Sequence, residues 1–310
     1  MSLILAAAKF DSFREKYKKE EDCFIDIFNA KWPNGFRCPR CDHPHYYLIS
    51  TRRLPLYECR SCRAQTSLIT DTLMEGSRTP VHLWFHAIFL HTQPQSINAV
   101  QLSTAISVTY KTAWLICHKI RRAMSRIDSE QKLTGIVRVS DSVYCRRLTT
   151  FFEWHRQEQP LLIGTSDNDN GKIAHLKIKH QSKKPLRDKY DCPDTAPFIT
   201  NCVDPAAAPN VILTRRYGRN MNTTLAWMGH YVTQWIGQVF RGIGPKHLQS
   251  YLDQYCYTYN VGREYMFSTL LVDCIQTKRI TYNEIINEGE ISNRSNRPPR
   301  QHQLKTLKTG

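Results

Sequence analysis

No apolar run in the 310-residue sequence is long enough to cross a membrane, so the pattern predicts no transmembrane helix. The apolar stretch at residues 2–8 is shorter than the core of a secretory leader and runs directly into charged residues, so we expect no signal peptide. Acidic residues are scarce: 27 Asp and Glu stand against 43 Lys and Arg, for a formal net charge of +16. This charge favours a polyanionic partner, and we expect a soluble protein that binds nucleic acid rather than a membrane.

The sequence also lacks the even, regularly spaced cysteines of a small secreted disulfide framework. Its eleven cysteines are an odd number; four form two close pairs and the others are scattered. A reducing compartment fits this distribution better than secretion. We therefore expect a cytoplasmic, nucleoid-associated protein if the host is bacterial and a nuclear protein if it is eukaryotic.

Two Cys-x-x-Cys pairs, separated by seventeen residues, are the strongest motif. Each pair places two sulfurs on one tight turn, and residues 46–49 and 56–58 predict hairpin arms that bring the turns together. Four thiolates at this spacing predict a structural zinc ion (Zn²⁺) in a tetrahedral site; the alternative is four unrelated thiols or two disulfides. We expect the nearby His43 and His45 to be solvated. The predicted zinc ligands are Cys38, Cys41, Cys59 and Cys62.

Helical spacing of apolar residues dominates the regions on both sides of this motif. Residues 10–30 predict one or two amphipathic helices. Pro80 is expected to begin a packing helix that continues to residue 92, and Ser96 to cap the next apolar run. A break at 107–109 then precedes a helix at 110–124. A packing helix, a helix, a short turn and a second helix predict a helix-turn-helix, with a plain helical bundle as the alternative.

The second helix of this motif carries the residues expected to contact double-stranded DNA. Near its N-terminus, Thr109 and Tyr110 are placed to reach base edges. Four cations along the helix are expected to contact phosphates, the alternative being an ordinary solvated face: Lys111, Lys119, Arg121 and Arg122.

Beyond residue 133 the pattern changes to short strands followed by helices. Strands at 136–139, 161–164, 173–178 and 211–213, with packing helices after them, predict an α/β unit of the ribonuclease-H type. The fold class is therefore a multidomain α+β protein. Its expected units are a helical segment at 1–34, a zinc ribbon at 35–72, a helix-turn-helix at 78–126, a ribonuclease-H-like domain at 133–280 and a disordered basic tail at 289–310.

Several motifs resemble those of zinc-ribbon insertion-sequence transposases, the bacterial ISXO-like family related to the eukaryotic Merlin elements. The resemblance covers most of residues 10–275. The motifs that carry it lie at residues 32–41, 57–67, 84–88, 108–114, 118–121, 133–135, 241–249 and 251–253. It implies a ribonuclease-H-fold catalytic domain that holds two Mg²⁺ ions and cleaves and joins DNA at the element's ends, and it implies a homo-oligomer on the DNA.

The carboxylates that this chemistry needs are missing from the matching positions. By the resemblance, the first Asp of the family falls at Ser140 and the second at Arg215. Asp141 follows Ser140, but an offset of one residue turns a strand side chain to the opposite face unless the strand bulges or ends. The third catalytic element falls near Tyr231 and Thr233. The stretch between Arg215 and the next predicted helix is shorter than in the resembled family, which implies a shortened domain.

Other polar residues are weaker alternatives for a metal site. Asn222 and His230 are the nearest candidates for the third element. Asp167 and Asp169 lie in an Asp/Asn/Gly turn and Asp204 precedes a proline, so turn chemistry explains all three.

Three functions are therefore left by the sequence. The first is a transposase-related DNA-binding protein that has lost strand-transfer chemistry and binds transposon terminal repeats. The second is an active, Mg²⁺-dependent transposase in which Asp141 is the crucial ligand. The third is a zinc-ribbon transcriptional regulator or RNA-binding module, since ribbons serve all these roles.

Overall fold

The computed structural model describes residues 3–145, 151–167, 172–262 and 265–287. Residues 1–279 form one compact unit and residues 280–310 a second, of which 282–287 are helical. The predicted tail at 289–310 and Asp169 lie outside the described residues. No helix in the described ranges combines the length and apolar character needed to span a membrane.

The N-terminal part pairs two helices with a small antiparallel sheet in the order β1-β2-β3. The hairpin arms expected at 46–49 and 56–58 are present and pair Tyr46 with Cys59. Phe28 of the second helix and Trp32, which follows it, pack against Tyr57 of the hairpin, with ring centroids 5.3 and 5.2 Å from that of Tyr57. These elements are α1 (Leu3–Lys16), α2 (Glu21–Lys31), β1 (Tyr46–Ile49), β2 (Leu56–Cys59) and β3 (Gln65–Ser67).

Three further helices follow: α3 (Val81–His91), α4 (Ala99–Ala105) and α5 (Tyr110–Glu130). Ser96 does not cap α4, contrary to the prediction, because its backbone adopts a positive φ of 54° in the preceding turn. The cap is Asn98, whose side chain accepts from the Gln101 N–H while the Gln101 side chain accepts from the Asn98 N–H. Thr109 caps α5 by accepting from the Thr112 N–H.

A helix from the C-terminal half completes this helical layer. The helix α9 (Met266–Gln276) places Phe267 between Phe13 and Phe85, at ring distances of 4.8 and 5.9 Å. The Leu73 N–H also donates to the Cys274 carbonyl over 3.1 Å. Residues from the range predicted as the ribonuclease-H-like domain therefore pack on helices from the ranges 1–34 and 78–126.

The second sheet has the strand order β6-β5-β4-β7, with β4, β5 and β6 antiparallel and β7 parallel to β4. Helices cover both faces, which makes this part of the chain mixed α/β. One face packs Leu161, Ile163 and Val232 together, and the other packs Val139, Leu162 and Phe198. The elements are β4 (Val137–Tyr144), β5 (Gln159–Asp167), β6 (Ile173–His180), α6 (Ala196–Cys202), β7 (Val211–Thr214), α7 (Thr223–Phe240) and α8 (Pro245–Asn260).

The motif at 241–253 has a packing role in this fold. Gln249 accepts from the His180 N–H over 2.8 Å, and Lys179 donates to Asp253 over 2.8 Å and to Asp128 of α5 over 2.6 Å. Burial lowers the pKa of Lys179, but the charges of Asp253 and Asp128 outweigh burial and raise it, so the ammonium stays charged. The motif thus joins α8, β6 and α5.

Candidate metal centre and nucleic-acid interface

The two Cys-x-x-Cys turns meet at the open end of the β1–β2 hairpin. The four sulfurs lie within 4.8 Å of one another, with 3.6 Å between Cys38 and Cys62 and 3.6 Å between Cys41 and Cys59. Thiolates about 2.3 Å from a central zinc ion lie about 3.8 Å apart in a tetrahedron. The cluster therefore has the donor set and the size of a structural zinc site.

Both turns use the same backbone geometry to aim their sulfurs inward. Asp42 and Arg63 adopt φ of 57° and 58°, and their N–H groups donate to the carbonyls of Cys38 and Cys59. Burial raises the pKa of the Cys59 thiol, but the backbone N–H groups of Cys62 and Ser61 together with the Cys41 and Cys38 side chains lower it to about 7. Four sulfur ligands would fill a tetrahedral zinc site and leave no open position for chemistry.

A buried ion-pair cluster lies where β4 and β7 run side by side. Asp141, 3% exposed, lies on the face of Val139 and Leu162, whereas Ser140 lies on the face of Ile163, as strand alternation predicts. Arg215 follows β7 and shares the Asp141 face. Its Nε donates to Asp141 Oδ1 over 3.1 Å.

A second arginine completes the cluster. The Arg216 N–H donates to Asp141 Oδ1 over 3.1 Å, and its Nε lies 3.2 Å from Oδ2. The guanidinium groups also donate to backbone carbonyls, that of Arg215 to Tyr190 over 2.7 Å and that of Arg216 to Lys189. Arg216 was not among the residues predicted from the sequence. The signal in the sequence was two successive cations, Arg215 and Arg216, shortly after the predicted strand at 211–213.

In this arrangement both oxygens of Asp141 lie next to cations: Oδ1 accepts from Arg215 Nε, and Oδ2 lies beside Arg216 Nε. Both carboxylate oxygens face guanidinium groups in a buried position, which favours an ion pair over a hydrated divalent cation. Among the residues that the structure describes, the four cysteines are the one group of three or more metal-ligating side chains that lie together.

The remaining predicted positions of the catalytic domain do not gather around Asp141. Ser140 is buried, and Tyr231 is exposed and stacks on Trp227 at a ring distance of 5.9 Å. Thr233 and His230 line a cavity of about 640 Å³ between α7, β4 and the segment after β7, and its wall includes Arg216 but not Asp141. Helix α7 approaches β4 closely there, and only a glycine fits: a Cβ atom at Gly229 would lie 2.2 Å from Ser142 Oγ.

The weaker candidates have structural roles. Asn222 caps α7 by accepting from the Leu225 N–H. Asp167 forms an ion pair with Arg138, and Asp204 accepts from the Ala206 N–H within its loop.

Two of the four cations expected on the DNA-facing surface of α5 are buried, so that expectation is wrong for them. Lys119 is 6% exposed and donates to the Leu73 carbonyl. Arg121 is 2% exposed, donates to Gln254 over 2.7 Å and lies 4.1 Å from the Tyr251 ring centroid. Arg121 is four residues after buried Cys117, so the helical period carried a signal of its burial.

The N-terminal turn of α5 remains open to solvent. Thr109, Tyr110 and Lys111 are exposed, as is Arg122 three turns along. The Thr109 hydroxyl is engaged as the helix cap, so Tyr110 and Lys111 offer the larger accessible side chains of this turn.

Comparison with known proteins matches residues 18–65 to the transposase zinc-ribbon domain. A second match is to an uncharacterized protein in transposable element ISH50 of Halobacterium salinarum, 25% identical over 117 residues. That match covers 37% of this chain and 38% of the relative, so the chain spans well under half of that protein's length. No solved structure matches the chain. The matched ribbon includes α2, which the sequence analysis placed in a separate segment.

Proposed function

We propose that this chain, which carries the zinc ribbon of insertion-sequence transposases, is a DNA-binding protein of transposase descent that no longer cleaves or joins DNA. The ribbon match and the four-cysteine cluster support the descent and a structural Zn²⁺. The main support for the loss of strand-transfer chemistry is that Arg215 and Arg216 form ion pairs with Asp141. The ribonuclease-H-like character of the second sheet is part of this proposal, and its strand order supports it.

Strand transfer by two Mg²⁺ ions needs several carboxylates that bridge the ions. In this chain one carboxylate meets two cations, and the guanidinium groups repel a divalent ion from the place where it would bind. Ser140, Tyr231 and Thr233, at the other matching positions, supply no carboxylate.

We expect no Mg²⁺-dependent nicking of duplex DNA that contains the element's terminal repeats. The assay uses the zinc-loaded full chain and a strand-resolved gel. In the control, EDTA replaces Mg²⁺, and the protein is exposed to EDTA only briefly so that the bound zinc is retained. Nicking that requires Mg²⁺ and disappears in a folded Asp141→Asn variant would favour the active transposase instead. Nicking that survives this substitution would identify a contaminating nuclease.

Duplex binding is assigned to the N-terminal turn of α5 and the turn before it, arranged as a helix-turn-helix. Tyr110 would approach base edges in the major groove, while Lys111 and Arg122 would contact phosphates. The exposure of these side chains and the net charge of +16 support this assignment. A second copy on the same DNA is expected because transposon ends come in pairs.

We expect Lys111→Ala and Arg122→Ala each to lower the salt dependence of duplex affinity, reducing the slope of log K against log salt by about one. Each change removes one phosphate contact, so affinity falls for all sequences alike. The measurement is a fluorescence-anisotropy titration at several salt concentrations.

Lys132→Ala is the matched control, because this exposed lysine lies just beyond the other end of α5, about 30 Å from Lys111. It should leave the slope unchanged. Equal effects from all three variants, or a flat salt response of the wild type, would contradict the assignment. Footprinting then distinguishes protection of terminal repeats from protection of a promoter, which would favour a regulator.

A further inference from the structure

Three aromatic side chains from separate loops form a surface beside the Asp141 cluster. They are Phe152 before β5, Tyr190 after β6 and Tyr217 after β7, and they are 71%, 42% and 52% exposed. Ring centroids are 5.4 Å apart between Phe152 and Tyr190 and 5.8 Å apart between Tyr190 and Tyr217. We call these three residues the aromatic platform.

Polar contacts hold the three loops together beneath the platform. The Lys189 N–H donates to the Phe152 carbonyl over 3.2 Å, and Lys189 also pairs with Glu158 over 3.2 Å in the interior. Arg215 donates to the Tyr190 carbonyl, and the Arg216 guanidinium lies 4.8 Å from the Tyr217 ring centroid. Tyr190 and Tyr217 therefore contact the same arginines that hold Asp141.

Cations lie in the loop that carries Tyr217. Arg215 keeps 42% of its side chain exposed, and Arg219 is exposed in the same loop. Among the carboxylates of these loops, Asp191 pairs with Arg187 and Asp188 accepts from the Tyr190 N–H, while Glu153 beside Phe152 is exposed. Exposed rings next to exposed cations suit a ligand that has flat aromatic faces and a negatively charged backbone.

We infer that the aromatic platform binds unpaired bases of single-stranded DNA. Bases within a duplex stack on one another and cannot offer their faces, so this surface recognises frayed or nicked strands rather than intact duplex. The inference rests on the proposed nucleic-acid function, but it concerns a surface other than α5. The loss of carboxylate chemistry does not affect it, because the rings and cations remain in place.

The test uses the zinc-loaded full chain with a single-stranded oligonucleotide and a duplex of the same sequence. The variant Tyr190→Leu/Tyr217→Leu keeps the charge and removes two rings, so single-strand affinity should fall about tenfold per ring while duplex affinity stays within about twofold. The matched variant Tyr190→Phe/Tyr217→Phe should retain single-strand binding, because the rings remain. Tyr259→Leu, at an exposed tyrosine of α8, controls for loss of any surface ring.

A 2-aminopurine base in the single strand gives an independent readout, since its fluorescence should be quenched by the wild type and not by the leucine variant. Unchanged single-strand binding in the leucine variant would overturn the inference, as would equal weakening for duplex and single strand. A change of oligomeric state with unchanged oligonucleotide binding would also overturn it and assign the platform to contact between copies. If only the Lys111→Ala variant loses duplex binding, that result tests the proposed role of α5 and not the aromatic platform.

Discussion

Removal of zinc is expected to unfold the ribbon hairpin while α2 stays helical. Its three strands have four, four and three residues, too few to be stable alone. Four-thiolate zinc binding contributes about 10–16 kcal/mol in zinc-finger peptides, which is as large as the whole stability of a typical domain. The rings of Phe28 and Trp32 tie α2 to the hairpin, but α2 is also held by its place in the helical layer.

Limited proteolysis of stripped and zinc-loaded protein measures this effect, and cleavage should appear within residues 35–67 after stripping. Cys62→Ser should reproduce it without a chelator. Cys192→Ser is the matched control, since Cys192 is also half-buried but lies outside the cluster. Equal protease resistance with and without zinc would show that the aromatic packing alone holds the hairpin.

Local features of the fold could be predicted because their causes are local. A Cys-x-x-Cys turn brings its own two sulfurs together, Pro80 begins a helix as predicted, and strand alternation places Asp141 and Ser140 on opposite faces. The resemblance to insertion-sequence transposases is confirmed for the ribbon.

Features that depend on distant partners could not be predicted in this way. Arg121 is buried because Tyr251 and Gln254 of α8, more than a hundred positions away, supply its contacts. The local sequence pattern gives no signal that Phe267 packs against the N-terminal helices. Arg215 was predicted to stand at a metal-ligand position, but its ion pair with Asp141 depends on the parallel register of β4 and β7.

Asp141→Asn is expected to destabilise the protein by about 3 kcal/mol. The asparagine keeps the shape and one acceptor oxygen for the Arg215 Nε and the Arg216 N–H, but it removes the charge and turns its NH2 group toward Arg216 Nε. Arg216 is almost fully buried and loses its counter-charge, whereas the half-exposed Arg215 regains solvent and contributes little. Urea unfolding at constant zinc measures the shift. Asp204→Asn, in a loop where the side chain accepts one backbone N–H, should change stability by less than about 0.5 kcal/mol.

The sign of the change in stability caused by Asp141→Asn distinguishes the ion-pair cluster from a working metal site. Carboxylates held together for Mg²⁺ repel one another without it, so replacing one by asparagine would stabilise the metal-free protein, and Mg²⁺ would stabilise the wild type by mass action. An ion-pair cluster gives the opposite result for both measurements: the variant is weaker, and Mg²⁺ leaves the wild-type unfolding midpoint unchanged. Stabilisation by the substitution together with stabilisation by Mg²⁺ would therefore return Asp141 to the role of a metal ligand.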